Sequence, residues 1–194
     1  MKILLATWNP DKIGWLTKGF EALGLPIEAA DPSACEACEE DGDTCAENAE
    51  KKAMAVGFRK DAIVTAEDSG LFVDGLGGFP GTHTARWAPG DDQTRAALLL
   101  EKLTGNHDRR ARFVSAVCLL FPDGKLWRCE GTWAGSISSS ARGDHRAGYG
   151  AIFELPSGLT IAETGEESAA GGDHRQRAMR AARREIRKWI ETRP

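Results

Sequence analysis

Lys2-Ile3-Leu4-Leu5-Ala6-Thr7-Trp8-Asn9-Pro10-Asp11-Lys12 is the stretch on which the fold turns. Lys2 to Thr7 reads as a buried strand, because Ile3, Leu4 and Leu5 are consecutive apolar residues, and Trp8-Asn9-Pro10-Asp11 breaks it at once. Behind the break, Ile13, Leu16, Phe20 and Leu23 recur at spacings of three and four, which predicts a helix with one apolar face stopped by Gly24. Strand, polar loop and amphipathic helix in that order are how an α/β fold begins.

The alternation continues outward. Thr44 to Phe58 reads as a helix opened by a T-x-x-E capping box, Thr44 with Glu47. Ala62 to Ala66 reads as a second short strand that runs into Glu67-Asp68-Ser69-Gly70, so these carboxylates are expected at a strand end, fixed by the sheet and kept wet by a loop. Gly75 to Gly81 is Gly- and Pro-rich and reads as a loop; Asp92 to Leu103 carries Ala96, Leu99, Leu100 and Leu103 on one helical face. Phe113 to Phe121 and Leu126 to Trp133 flank Pro122-Asp123-Gly124-Lys125, the signature of a β-hairpin. Gly135 to Gly150 is Ser- and Gly-rich and reads as a loop. The last helix starts at Asp173, an N-cap paired with Gln176, and buries Met179, Ala182, Ile186 and Trp189. There is neither an internal repeat nor a linker, so residues 1–194 read as a single α/β domain.

A chain of 194 residues, 41% hydrophobic, can bury a core that needs no disulfide or structural metal. Asp and Glu number 29 against 25 Lys and Arg, a net charge of −4, which argues against the broad basic field of a sequence-blind nucleic-acid binder. Five scattered cysteines, an odd number, fit reduced thiols and a cytoplasmic protein. Cys35 and Cys38 have the spacing of a redox pair or half a zinc site, but no second pair or nearby His completes four ligands. Ile3 to Ala6 is too short for a signal peptide, and no stretch approaches 18 apolar residues.

Three polar clusters are candidates for chemistry. Thr7, Asn9 and Lys12 follow the first strand and stand before a helix, a setting that suits phosphate oxygens. Glu39, Glu40 and Asp68 are acids in or beside loops; residues 19–50 hold ten carboxylates and no Lys or Arg, ending in Glu39-Glu40-Asp41-Gly42-Asp43, which is either a solvated acidic loop or a place for a divalent cation. His174 and Arg175 begin the last helix.

Taken together, Thr7-Trp8-Asn9-Pro10-Asp11-Lys12, Glu39 to Ala49 with Lys52-Ala53, Glu67-Asp68-Ser69-Gly70-Leu71, Pro80-Gly81, Thr84-Ala85-Arg86, Arg110 to Phe113, Gly131 with Gly135, Thr160 to Glu163 and His174-Arg175 resemble the inosine/xanthosine triphosphate pyrophosphatase family. The resemblance implies an α/β fold with a mixed, elongated central sheet flanked by helices, two lobes with an active-site cleft between them, and a homodimer. It implies Mg²⁺-dependent hydrolysis of a nucleoside triphosphate to monophosphate and pyrophosphate. By position, Thr7, Asn9, Lys12 and Lys52 would hold the triphosphate; Glu39, Glu40 and Asp68 would bind Mg²⁺; Asp68 would also be the base toward water, with Lys12 and Lys52 assisting. Ser69 and Arg86 would line the phosphate site, and His174 and Arg175 would face the base or sugar.

One segment departs from the pattern. The family's Gly-Phe-Gly-Tyr-Asp-Pro corresponds to Arg146-Ala147-Gly148-Tyr149-Gly150-Ala151, so the stacking aromatic is Ala147 and the base-reading Asp is Gly150, between Gly148 and Tyr149 that match. The family's Lys before His-Arg is Ala169, and its Ser is Asp173. A lost stack removes about 1–3 kcal/mol per base, and lost polar contacts remove discrimination rather than triphosphate affinity. The hydrolytic end is therefore expected to survive with altered base choice. Trp8 either stacks from the other side or packs; Arg142, His145 and Arg146 are candidates for new base contacts. A nucleotide-binding protein without catalysis is the alternative. Trp87, Trp127 and Trp133 are candidates for an exposed dimer face.

Overall fold

Lys2–Leu5 forms the first strand (β1) between two parallel neighbours, Ile27–Ala29 (β2) and Ala62–Val73 (β3), with Ile3 opposite both Ile27 and Ile63. The computed structural model describes residues 1–35, 38–144, 148–164 and 172–192. Asn9 caps helix α1 (Pro10–Phe20): its Oδ1 accepts the N–H of Asp11 at 2.9 Å and of Lys12 at 3.4 Å. Gly24, at φ 67°, ends the turn that follows. Helix α2 (Cys45–Val56) has the full capping box between Thr44 and Glu47.

The remaining elements are β4 (Pro80–Gly81), α3 (Asp92–Lys102), β5 (Arg110–Leu120), β6 (Leu126–Ile137), β7 (Phe153–Glu154), α4 (Ile161–Thr164) and α5 (His174–Glu191). Among the described residues the strands make one mixed sheet in the order β2-β1-β3-β5-β6-β7, with β4 antiparallel on β3.

Two compact units divide the chain. The first is 1–68, 115–131 and 174–194; the second is 69–114 and 132–173, and β3, β5 and β6 run on from one into the other. The first unit has two apolar clusters. In one, Ile3, Leu5, Leu16, Phe20, Val117 and Leu119 pack with Ala178, Met179, Ala182 and Ile186 of α5; in the other, Ala49, Ala53 and Val56 of α2 pack with Ala6, Val64, Ala66 and Cys118. Burial of these faces is the main stabilising term for the unit. Leu71, Leu99, Leu103, Ile137, Ile152 and Phe153 centre the second unit's cluster.

Gly131 lets α5 approach β6. A Cβ there would lie 2.1 Å from the carbonyl oxygen of His174 and 2.5 Å from the amide nitrogen of Ala178, closer than any side chain tolerates. The start of α5, and with it His174-Arg175, is thereby seated on the strand.

Four sequence expectations need correction. β3 does not stop at Ala66; it continues through Glu67-Asp68-Ser69-Gly70 to Val73, so the carboxylates lie mid-strand and buried rather than at a wet end. Gly70 is no breaker: its missing Cβ lets the Gly81 carbonyl approach, and Leu71 and Phe72 pair with Gly81 and Pro80. The loops expected at Gly75 to Gly81 and Gly135 to Gly150 are correspondingly shortened by β4 and by the end of β6 at Ile137. Trp133 is not on the surface but buried against Phe153; Trp127 is exposed and Trp87 half-buried.

Candidate active site

Asp68 is the focus of the first unit's polar side chains. It is almost fully buried, and a buried carboxylate must be met by donors and opposite charge. Lys52 Nζ lies 3.0 Å from its Oδ1, Lys12 Nζ 3.6 Å from the same oxygen, and Asn48 Nδ2 donates to its Oδ2 at 3.4 Å. Lys52 reaches Asp68 from α2, Lys12 from the first turn of α1, and Asn48 stands one helical turn before Lys52, on the same face.

Glu40 joins the cluster through Lys52, whose Nζ is 3.0 Å from Glu40 Oε1. Burial works against the Lys52 charge, but Asp68 and Glu40 outweigh it and hold its pKa above the ordinary lysine value. The acidic loop is anchored to the same helix: the Gly42 N–H donates to Asn48 Oδ1 at 2.8 Å, and Asp41 pairs with Lys51. Asn48 therefore ties the loop on one side and Asp68 on the other.

Glu67, fully buried, completes the set. Its Oε2 lies 3.0 Å from Lys12 Nζ, and its Oε1 accepts the Ser115 hydroxyl at 2.8 Å. Burial pushes its carboxyl up, but Lys12 and Arg175 more than offset this and hold the pKa below the usual glutamate range.

Lys12, Lys52, Glu40 and Asp68, separated by up to 56 positions in the chain, are thus brought together as the sequence reading anticipates. Glu39 is exposed, and among the described residues no group of three His, Cys, Asp or Glu side chains stands ready to hold a metal. The donors present still suit a hard cation. Two ammoniums contact three carboxylates, an excess of negative charge made of oxygen ligands, and Mg²⁺ commonly uses one or two carboxylates with substrate phosphates rather than a complete protein cage.

The other candidates divide by what already occupies them. Thr7 is buried, and its Oγ1 accepts the Asn9 N–H at 3.4 Å; Asn9 is spent on capping α1. Trp8 donates from Nε1 to the Ala30 carbonyl at 3.2 Å and packs on the α2 cluster, which favours the packing alternative over stacking. Arg175 is exposed, its guanidinium 5.7 Å over the Trp15 ring, beside half-buried His174. Ser69, Arg86 and Gly148-Tyr149-Gly150 belong to the second unit. There, Ser69 is half-buried on β3 and Arg86 is exposed in the turn after β4. Tyr149, in a 3₁₀ turn, accepts Trp87 Nε1 at 2.7 Å and donates to the Thr84 carbonyl at 2.9 Å. Arg142 is engaged by Glu154 and Glu163. His145, Arg146, Ala147, Ala169 and the Cys35 side chain with Glu36 and Ala37 lie outside what is described.

Sequence reasoning gave no role to Glu67, Asn48 or Ser115. The spacing of Asn48 and Lys52 at i and i+4 signals a shared face; nothing local signals that Ser115, 48 positions away, serves Glu67.

The profile of the Ham1 family matches residues 3–185. A dITP/XTP pyrophosphatase of an Exiguobacterium species is 40% identical, the match covering 96% of this chain and 97% of the relative. Another, from Symbiobacterium thermophilum, is 38% identical over 92% and 91% of the two chains. A solved HAM1 protein from Coxiella burnetii superposes with a TM-score of 0.85 at 28% identity, covering 97% of this chain and 99% of that one.

Proposed function

Since the chain belongs to the Ham1 family, we propose that it is a nucleoside triphosphate pyrophosphatase that works on non-standard nucleotides. The observation that carries this reading is Asp68, buried, with two lysine ammoniums at 3.0 and 3.6 Å and a second carboxylate, Glu40, on the nearer lysine.

Lys12 and Lys52 have the charge and reach to hold a phosphate chain, exchanging part of their contact with carboxylates for phosphate oxygens. Asp68 has Oδ1 occupied by lysine, while Oδ2 accepts the 3.4 Å hydrogen bond from Asn48 and, among the described residues, retains a lone pair for the proton of water. The water oxygen bonds to the α-phosphorus, the α–β anhydride bond breaks, and the pair on the bridging oxygen leaves with pyrophosphate. The lysines offset the negative charge that develops, the largest contribution such sites make. Thr7, Asn9, Ser69 and Arg86 are assigned to phosphate, and His174 and Arg175 to base or sugar, on the family resemblance.

Glu40 and Asp68, with Glu39 adjacent in the acidic loop, would hold Mg²⁺. When bound, it offsets phosphate charge and makes the water easier to deprotonate. The missing aromatic at Ala147 and the missing carboxylate at Gly150 support a base choice looser than in relatives named dITP/XTP pyrophosphatase. The family resemblance supports a homodimer. The odd, scattered cysteines support a cytoplasmic setting; no described helix is long and apolar enough to cross a membrane.

Phosphorus NMR of the reaction mixture tests the reading. Inosine triphosphate is expected to give monophosphate and pyrophosphate, with turnover lost on chelation and restored by Mg²⁺. Release of orthophosphate with diphosphate would overturn the assigned bond, and turnover indifferent to chelator would overturn the metal.

A further inference from the structure

Among the described residues Lys12 has two acidic neighbours, and the nearer is not the one assigned to the chemistry. Its Nζ is 3.0 Å from Glu67 Oε2 and 3.6 Å from Asp68 Oδ1, and it also donates to the Glu67 main-chain carbonyl at 3.4 Å. Glu67 is wholly buried and adjoins Asp68 on a rigid central strand. Its position is fixed from the other side by Ser115 on β5, whose hydroxyl donates to Oε1 at 2.8 Å. Two of the three Lys12 contacts are therefore to one residue, which is itself held by a neighbouring strand.

We propose that Glu67 is a positioning residue for the pyrophosphatase reaction: held by Ser115, it draws the Lys12 ammonium to itself and so keeps it from closing onto Asp68. The inference rests on the assignment of Asp68 and Lys12 above. An ammonium drawn fully onto Asp68 would leave the place from which it meets the phosphate chain, while an ammonium released altogether would have to be ordered anew for each substrate. With Glu67 present, Lys12 is held 3.6 Å from Asp68 at a fixed place from which it can receive phosphate. Without it, the lysine has one acidic neighbour left and moves to it. The effect falls on the chemical step more than on substrate capture, because the lysine charge stays in the site.

Glu67→Gln, nearly isosteric, tests this with a kcat-against-KM split and a double-mutant cycle with Lys12→Ala. The expected result is a kcat lowered about 10- to 100-fold with KM within about threefold, on the scale of a displaced charge at a reacting centre. In the Lys12→Ala background the same substitution should cost less than about threefold, since there is no ammonium left to misplace. Ser115→Ala, which keeps the Glu67 charge, should give a smaller kcat loss in the same direction and Ser115→Thr should recover it; this pair carries the test if Glu67→Gln lowers Tm too far for assay. A Glu67→Gln loss of equal size with and without Lys12, or unchanged kcat in both Glu67→Gln and Ser115→Ala, overturns the proposal. Asp68→Asn and Lys12→Ala alone separate the two levels: if neither lowers turnover, the site assignment fails; if both do and the cycle is additive, only the role of Glu67 fails.

Discussion

The segment around Glu67-Asp68 and the segment around Gly148-Tyr149-Gly150 have opposite characters. In the first, each charged side chain is paired with another, and on the proposed reading a substrate takes over part of these contacts: Lys52 with Asp68 and Glu40, Lys12 with Glu67 and Asp68. In the second, among the described residues the Tyr149 hydroxyl is committed to the frame between Trp87 and Thr84, and glycines stand on either side of it. On the proposed assignment, the contrast teaches that charge placed for a phosphate chain can be kept while the segment assigned to the base is reduced to backbone. Phosphate chemistry needs charge held in place, and base selection needs specific side-chain edges.

The sharpest way to break the comparison is Lys52→Met. It leaves Asp68 and Glu40 facing each other without their shared cation, and loss of one partner from a buried pair costs about 3–5 kcal/mol. The expected outcome is a fall in kcat/KM of about 10²–10³-fold, the scale of one lost charge-stabilising donor, together with a lower Tm. Activity near wild type would show that the cluster is only structural. Next comes a turnover panel over inosine, xanthosine, guanosine and pyrimidine triphosphates. A missing stack and its polar partner remove about 1–3 kcal/mol of preference, so kcat/KM values are expected within about tenfold of one another. Strict selectivity for inosine and xanthosine would mean that side chains outside the Gly148-Tyr149-Gly150 turn read the base.

Tyr149→Phe probes the other side of the contrast. It removes two hydrogen bonds and strands the Trp87 indole N–H, which is expected to lower stability by about 1–2 kcal/mol in a denaturation curve while the order of substrate preference stays unchanged. A changed substrate order would return Tyr149 to the binding surface. The smallest effect at neutral pH concerns two thiols on which burial is the chief influence. Burial pushes the Cys118 and Cys129 thiols up to about 12. The folded chain thus keeps protons that the unfolded chain releases above roughly pH 8.5, and stability falls as pH rises from there toward 12. The slope is about 1.4 kcal/mol per thiol per pH unit at most, and Cys118→Ala should flatten it. A slope unaltered by the substitution would place the titration elsewhere.

Much of this frame was legible in sequence because its signals are local. The break at Trp8 to Asp11, the Gly24 stop, the Thr44/Glu47 capping box and the Pro122 to Lys125 turn each depend on residues within a few positions, and each stands where the pattern puts it. The run of β3 through Glu67-Asp68 was not legible. Two acids and a glycine read as a loop until lysines from positions 12 and 52 neutralise them and Gly81 fills the space that Gly70 leaves. The partners of Asp68 came from a whole-chain resemblance, whereas Ser115, contributed by another strand, had no signal that spacing could supply. Trp133 misled for a related reason: an aromatic in a hairpin strand faces either side, and only packing on Phe153 decides which.

The central claim is that Asp68 takes the proton from the water that attacks the triphosphate. Turnover of inosine triphosphate by Asp68→Asn, measured beside calorimetric binding of a non-hydrolysable triphosphate analogue, tests it most directly. The account predicts turnover lowered by at least about 10³-fold with analogue binding retained through Lys12 and Lys52. Turnover within tenfold of the unsubstituted protein, with binding equally intact, would contradict it.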